Sequence, residues 1–181
     1  MIRLKKLSHF TQLEKIKLFT GLGILLTVLL GSINHFVYNW TGKNAFVGIF
    51  VATNESIWEH IKLALFPMFI IFLVGGFLFY HKVNNYFLAV LCALTVTTLS
   101  IILIFMGYTL FTRRAILPID IANFIFSIAL GYYTAYRIFF MPRHKWLNYL
   151  SIVGILVFLG MFLTCTYHAP NIFLFQEIYV K

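Results

Sequence analysis

Two carboxylates, an imidazole, a hydroxyl and an amine crowd into Asn54-Glu55-Ser56-Ile57-Trp58-Glu59-His60-Ile61-Lys62. On a helix turning about 100° per residue, Glu55 and Glu59 share a face, and Ser56 and His60 share the adjacent one. Carboxylate oxygen and imidazole nitrogen suit zinc or another divalent ion, so the stretch supplies half of a metal site. It equally supplies an acid–base pair, with Glu59 as general base and Ser56 beside it. The spacing is not the His-Glu-x-x-His pattern of zinc proteases. Further ligands must come from elsewhere, and the candidates are His35, Asp120 and His168, which with His60 make a candidate metal set. Arg113 and Arg114 stand six to seven residues before Asp120 and can pair with it or attract a lipid head group or phosphate. Asn54 and Glu55 complete the polar set. The plainer alternative is an ion pair between Glu59 and Lys62, three residues apart, with the other groups solvated at an interface.

The elements that carry these residues are apolar. Of 181 residues, 61% are hydrophobic and 10% charged, against about 45–50% and about 25% in soluble domains. Five runs approach the roughly 20 apolar residues needed to cross a hydrocarbon core of about 30 Å: 18–38, 63–80, 87–111, 117–140 and 146–167. Lipid offers no partner to bare backbone, and the runs do not alternate as barrel strands do, so each must be a helix. The expectation is an all-α, polytopic transmembrane bundle of about five spans, forming a single membrane domain over 1–181. Residues 1–17 form a basic cytoplasmic segment in which Ile2, Leu4, Leu7, Phe10 and Leu13 lie among lysines, as in a helix lying on an anionic surface or, equally, a frayed basic tail. The run that follows is too long for the apolar part of a signal peptide, about 7–15 residues, and is kept as the first span.

Residues 39–62 form an outer segment. Its apolar run 45–52 is too short to cross, and Thr53 or Asn54 is a good cap for a helix continuing through Pro67. With the N-terminus inside, the inner segments carry Arg3, Lys5, Lys6, Lys15, Lys17, Lys82, Arg137, Arg143 and Lys145. The outer ones carry Lys43, Lys62, Arg113, Arg114 and Lys181. Nine against five favours N-inside and C-outside. In that arrangement Glu55, Glu59, Asp120, Glu177, His35, His60 and His168 all gather at the outer rim, and ionisable groups at membrane depth mark functional sites.

The net charge of +9 sits in short loops between apolar runs, which points to the membrane and not to nucleic acid. Cys92 and Cys165 fall inside apolar runs and read as small hydrophobes. Trp40, Trp58 and Trp146 read as interfacial anchors, and Gly75-Gly76 as close helix packing.

The stretch His35-Phe36-Val37-Tyr38-Asn39-Trp40-Thr41-Gly42, then Val47-Gly48, then Asn54 to Leu63 with its Asn-Glu-Ser-x-Trp-Glu-His core, resembles an uncharacterised family of small bacterial multi-pass membrane proteins. Arg113, Arg114 and Asp120 match that family's charged start to a late span, and Pro170, Leu174 and Phe175 match its Pro-x-x-x-Leu-Phe tail. The tail then departs, with Gln176-Glu177-Ile178-Tyr179 where the family has Asp-Pro followed by Gly and Tyr. No activity comes with that resemblance. Ser56-x-x-x-His60, Asp120 and His168 are also similar to the alkaline ceramidase and adiponectin receptor superfamily of seven-span, zinc-dependent amide hydrolases. That pattern needs two histidines four apart in the last span, and position 172 is Ile.

Two functions follow as expectations. One is a non-catalytic protein of the cell membrane whose outer polar cluster binds a metal ion, lipid head group or membrane-protein partner. The other is a metal-dependent intramembrane hydrolase acting on a lipid substrate, with His60, His168 and His35 or Asp120 as ligands and Glu59 activating a bound water. A transporter is disfavoured, since no inverted repeat is visible.

Overall fold

The computed structural model describes residues 11–177. Within them the chain is all-helical: α1 (Gln12–Trp40), α2 (Ala45–Gly48), α3 (Ile57–Phe79), α4 (Tyr86–Thr112), α5 (Leu117–Phe139) and α6 (Lys145–Tyr167), followed by a 3₁₀ turn at Phe173–Phe175. Every one of these helices except α2 is long and apolar enough to cross a membrane. The expected five-span architecture is therefore the observed one.

Successive long helices run antiparallel. At one end Phe19 of α1 meets Phe79 of α3, ring centres 5.3 Å apart, and Tyr86 of α4 stacks on Phe139 of α5 at 5.5 Å. At the other end Lys62 of α3 donates to Thr166 of α6, and Tyr108 of α4 donates to Asp120 of α5. The candidate residues of α1, α3 and α5 thus gather at one end of the bundle, with the C-terminal end of α4 beside them.

Local chemistry sets the helix starts. Thr11 and Glu14 cap α1 reciprocally, the Glu14 N–H on the Thr11 hydroxyl and the Thr11 N–H on the Glu14 carboxylate. The start of α4 is capped across the bundle, where Asn148 of α6 accepts the Phe87 and Leu88 N–H groups. Hydroxyls inside the spans satisfy themselves on the carbonyl one turn back, as Thr20, Ser32, Thr109 and Thr164 do. That solution suits a lipid environment, where no water is available to them.

α3 is the central element. Ile61, Ala64, Leu65, Met68 and Phe72 are buried, whereas α1 exposes Leu22, Leu25 and Leu29 to the outside, as a lipid-facing helix should. Pro67 has no N–H for the Leu63 carbonyl one turn before it. That carbonyl instead faces Gly31 of α1, so closely that any Cβ at Gly31 would overlap it. Gly75 likewise faces Phe19 and Tyr86, the close packing expected of the Gly75-Gly76 pair.

Several boundaries differ from expectation. α1 begins at residue 12 and not 18, so 12–17 belong to the first helix; the rest of the expected surface helix lies outside the described residues, apart from Thr11. α3 begins at Ile57, capped by the Ser56 hydroxyl and not by Thr53 or Asn54. Ser56-x-x-Glu59 has the spacing of a capping box, and that signal outweighs the others. Run 45–52 contributes a single helical turn, with Phe46 exposed. Trp58 is not an interfacial anchor. It is buried, stacked on Phe162 at 4.2 Å and packed against the tilted Phe175 ring at 4.7 Å.

Candidate functional site

Placing the cap at Ser56 separates the two carboxylates. Glu55 falls outside the helix and Glu59 falls in its first turn, so they do not share a face as the helical spacing suggested. Each goes to a different cluster.

The first cluster is closed. Glu59 Oε2 lies 2.7 Å from Lys62 Nζ, with both side chains nearly inaccessible. The same oxygen accepts the Thr53 N–H and hydroxyl, each at 2.8 Å. Lys62 also donates to the Gly48 carbonyl at 2.7 Å and to Thr166 at 3.1 Å. All three ammonium hydrogens thus have acceptors. The pairing expected as the plain alternative is present, but buried and not solvated. It fastens α2 and the 49–56 segment onto α3 and α6. Ser56 is buried as well: its hydroxyl accepts the Glu59 N–H at 3.3 Å, and its backbone pairs with Glu177 in a single antiparallel bridge.

The second cluster is open. His35 of α1, Glu55 and His60 of α3 bring one ligand atom each within 4.8 Å of one another. His60 Nε2 is 3.4 Å from one Glu55 oxygen, and His35 Nε2 is 3.9 Å from the other. The two imidazole rings lie 5.4 Å apart. All three side chains remain partly accessible, Glu55 at 64%.

The donors fit zinc. Bonds of about 2.0–2.2 Å in tetrahedral array put neighbouring ligand atoms about 3.4 Å apart. The His60–Glu55 separation matches this, while the other donor pairs, up to 4.8 Å apart, must close in by up to about 1.4 Å. Two histidines and a glutamate are also a donor set used by catalytic zinc sites, with the fourth position left to water. His60 is already oriented as a ligand. Its Nδ1 lies 2.9 Å from the Ser56 carbonyl, which can only accept. Nδ1 therefore carries a hydrogen, which leaves Nε2, the atom facing Glu55, as the one that can ligate.

Asp120 stands across a cavity from this triad. The cavity, about 440 Å³, is lined at its polar end by His35, Glu55, His60 and Asp120, and deeper by residues of α1, α3, α4 and α5. Asp120 accepts a 2.5 Å hydrogen bond from the Tyr108 hydroxyl, which in turn accepts the Ile116 N–H at 3.2 Å. A second, smaller cavity of about 40 Å³ on the loop side is lined by His35, Tyr38, Asn54 and Glu55 among others. His35 and Glu55 thus stand between a large apolar space and a small polar one.

Of the residues singled out in the sequence, His35, Glu55, His60 and Asp120 come together. Asn54 borders the small cavity, and its side chain accepts the Ser56 N–H at 3.0 Å. Glu59 and Ser56 lie in the closed cluster. His168 ends α6, exposed, and lines neither cavity. The histidine behind the ceramidase-like pattern is therefore outside the triad. Arg113 and Arg114 sit exposed in the α4–α5 turn, just before Ala115 of the cavity wall. Sequence reasoning missed Tyr108. No spacing links it to Asp120, because the contact crosses a turn between helices.

The profile of a family described as a family of unknown function (DUF6512) matches residues 7–180, and the chain belongs to that family. No curated protein and no solved structure matches it.

Proposed function

We propose that this multi-pass protein binds a divalent metal ion, zinc by its donor set, on His35, Glu55 and His60, with the open coordination position facing the intramembrane cavity. The observation that carries this reading is the convergence of three ligand atoms from two helices and a loop within 4.8 Å, with the His60 Nδ1 tied back to the Ser56 carbonyl so that Nε2 faces the cluster. The site lies on the outer side of the cell membrane, the N-terminus being inside.

The test is titration of the detergent-purified chain with zinc. One ion per chain is expected, lost in His35→Ala, Glu55→Gln and His60→Ala. Absence of stoichiometric binding, or binding indifferent to His60→Ala, overturns the proposal.

A second reading, hydrolysis of a lipid bond, is favoured by Asp120. A carboxylate across the cavity from a metal with an open position can take the proton of a bound water, a role that Glu59 cannot fill from within a buried ion pair. Asp120→Asn should then abolish lipid turnover while zinc still binds. Turnover that survives in Asp120→Asn removes the reading.

A further inference from the structure

We propose that the cavity beneath the triad holds the acyl chain of an anionic membrane lipid, whose phosphate lies at the mouth beside the triad and the Arg113–Arg114 turn. The chain's placement rests on the cavity alone, and the phosphate's on the metal reading above.

The dimensions fit. At about 440 Å³ the space is within the roughly 300–1,000 Å³ usual for ligand sites. Along α1 it runs from Val28 to Phe36, eight residues, or about 12 Å at about 1.5 Å per residue. One leaflet's hydrocarbon is about 15 Å thick, half of about 30 Å. The slot therefore spans most of one leaflet from the polar end inward.

The chemistry of the walls selects a hydrocarbon. Val28, Leu63, Ile101, Phe105, Phe124 and Ile125 form much of the lining. The polar groups among them are committed within the protein. Ser32 donates to the Val28 carbonyl; Asn123 donates to the Ile101 carbonyl and accepts from Ser127. Below the mouth little is left to recognise a sugar or a peptide.

The opening faces the right way. Ile101 and Phe105 are buried at the back of the slot, whereas Phe36 of α1 and Ile121 and Ile125 of α5 stand exposed at its edge. The slot thus opens sideways between α1 and α5, where lipid tails lie, and a chain can enter without passing through water.

The mouth selects the head group. Arg113 and Arg114 have no acidic partner within ion-pair distance among the described residues. Their turn is fixed by a left-handed Arg113 (φ 56°) and by the Thr112 hydroxyl on the Arg114 carbonyl at 2.8 Å. Glu55 and Asp120 by themselves would repel a phosphate. A divalent ion on Glu55 offsets the charge of both carboxylates and offers a direct ligand position to a phosphate oxygen, and the two arginines supply the net attraction.

The experiment uses the full chain in nonionic detergent with zinc. The probes are lysophosphatidic acid, lysophosphatidylcholine of the same chain length, and inorganic phosphate. Lysophosphatidic acid should bind tightest and inorganic phosphate weakest. Val28→Phe with Ile125→Phe fills the slot and should weaken lysophosphatidic acid by at least about tenfold, the effect of displacing two methylenes. Zinc affinity and the unfolding midpoint should stay put. Arg113→Gln with Arg114→Gln should weaken it by about 30-fold and weaken lysophosphatidylcholine by less, since its choline offsets the phosphate charge. Equal binding to the slot-filled variant overturns the chain's placement, and equal binding of the two lysolipids overturns the choice of head group. Inorganic phosphate binding as well as lysophosphatidic acid marks a free-phosphate site and overturns both. If zinc fails to bind but lysophosphatidic acid still binds in a slot-dependent way, the metal reading falls and the acyl slot stands.

Discussion

Glu55 and Glu59 are the same residue type four positions apart, yet one is open and the other enclosed. Glu59 sits in the first turn of α3 and faces inward, where Lys62, Thr53 and the α2 turn surround it. Glu55 precedes the cap and faces His35 and His60 at the rim. An acid inside a protein is stabilised only when its neighbours satisfy it, and those same neighbours then leave it nothing to bind. An acid at a rim needs little from the fold and keeps its lone pairs for a ligand. The difference teaches that the closed cluster is structural and the open one is available, although the sequence offers both carboxylates equally.

The sharpest way to break this comparison is Lys62→Met. It leaves the Glu59 carboxylate buried without its cation, and should cost about 3–5 kcal/mol in unfolding free energy. Glu59→Gln with Lys62→Met should recover much of that loss. A single variant as stable as the parent would show that the closed cluster does not hold the fold. For the open cluster the expectation is reversed. His60→Ala should lower zinc affinity by more than about 100-fold, beyond what loss of an outer-shell partner costs, with little change in the unfolding midpoint. Gly31→Ala probes the wall of the cavity below the open cluster, because a methyl group there meets the Leu63 carbonyl and the Phe124 ring. Overpacking of this kind should cost about 1–3 kcal/mol, read by thermal unfolding in detergent. Tyr108→Phe removes the hydrogen bond to the half-buried Asp120 and should cost roughly 1 kcal/mol, since water can partly replace the hydroxyl. Glu55→Gln should change stability least, by less than about 1 kcal/mol, while abolishing metal binding. A large stability loss in Glu55→Gln would erase the distinction between the two clusters.

Charge economy in the sequence determined the architecture: long apolar runs with few ionisable groups have only one stable form in lipid, the helix, and five such runs became five helices long and apolar enough to span. Sequence also determined which stretch would be rich in chemistry, because Asn54–Lys62 and Asp120 hold most of the acids. Tertiary structure alone decided which acid does what. A shift of the helix start to Ser56 turned Glu55 away from Glu59, and the fold of α2 back onto α3 brought Thr53 and Gly48 to close the buried cluster. His35 and His60 are 25 positions apart and Tyr108 and Asp120 are separated by a turn, so no periodicity relates either pair. Helix direction and packing angle bring them together, and those depend on the whole bundle and not on any one segment.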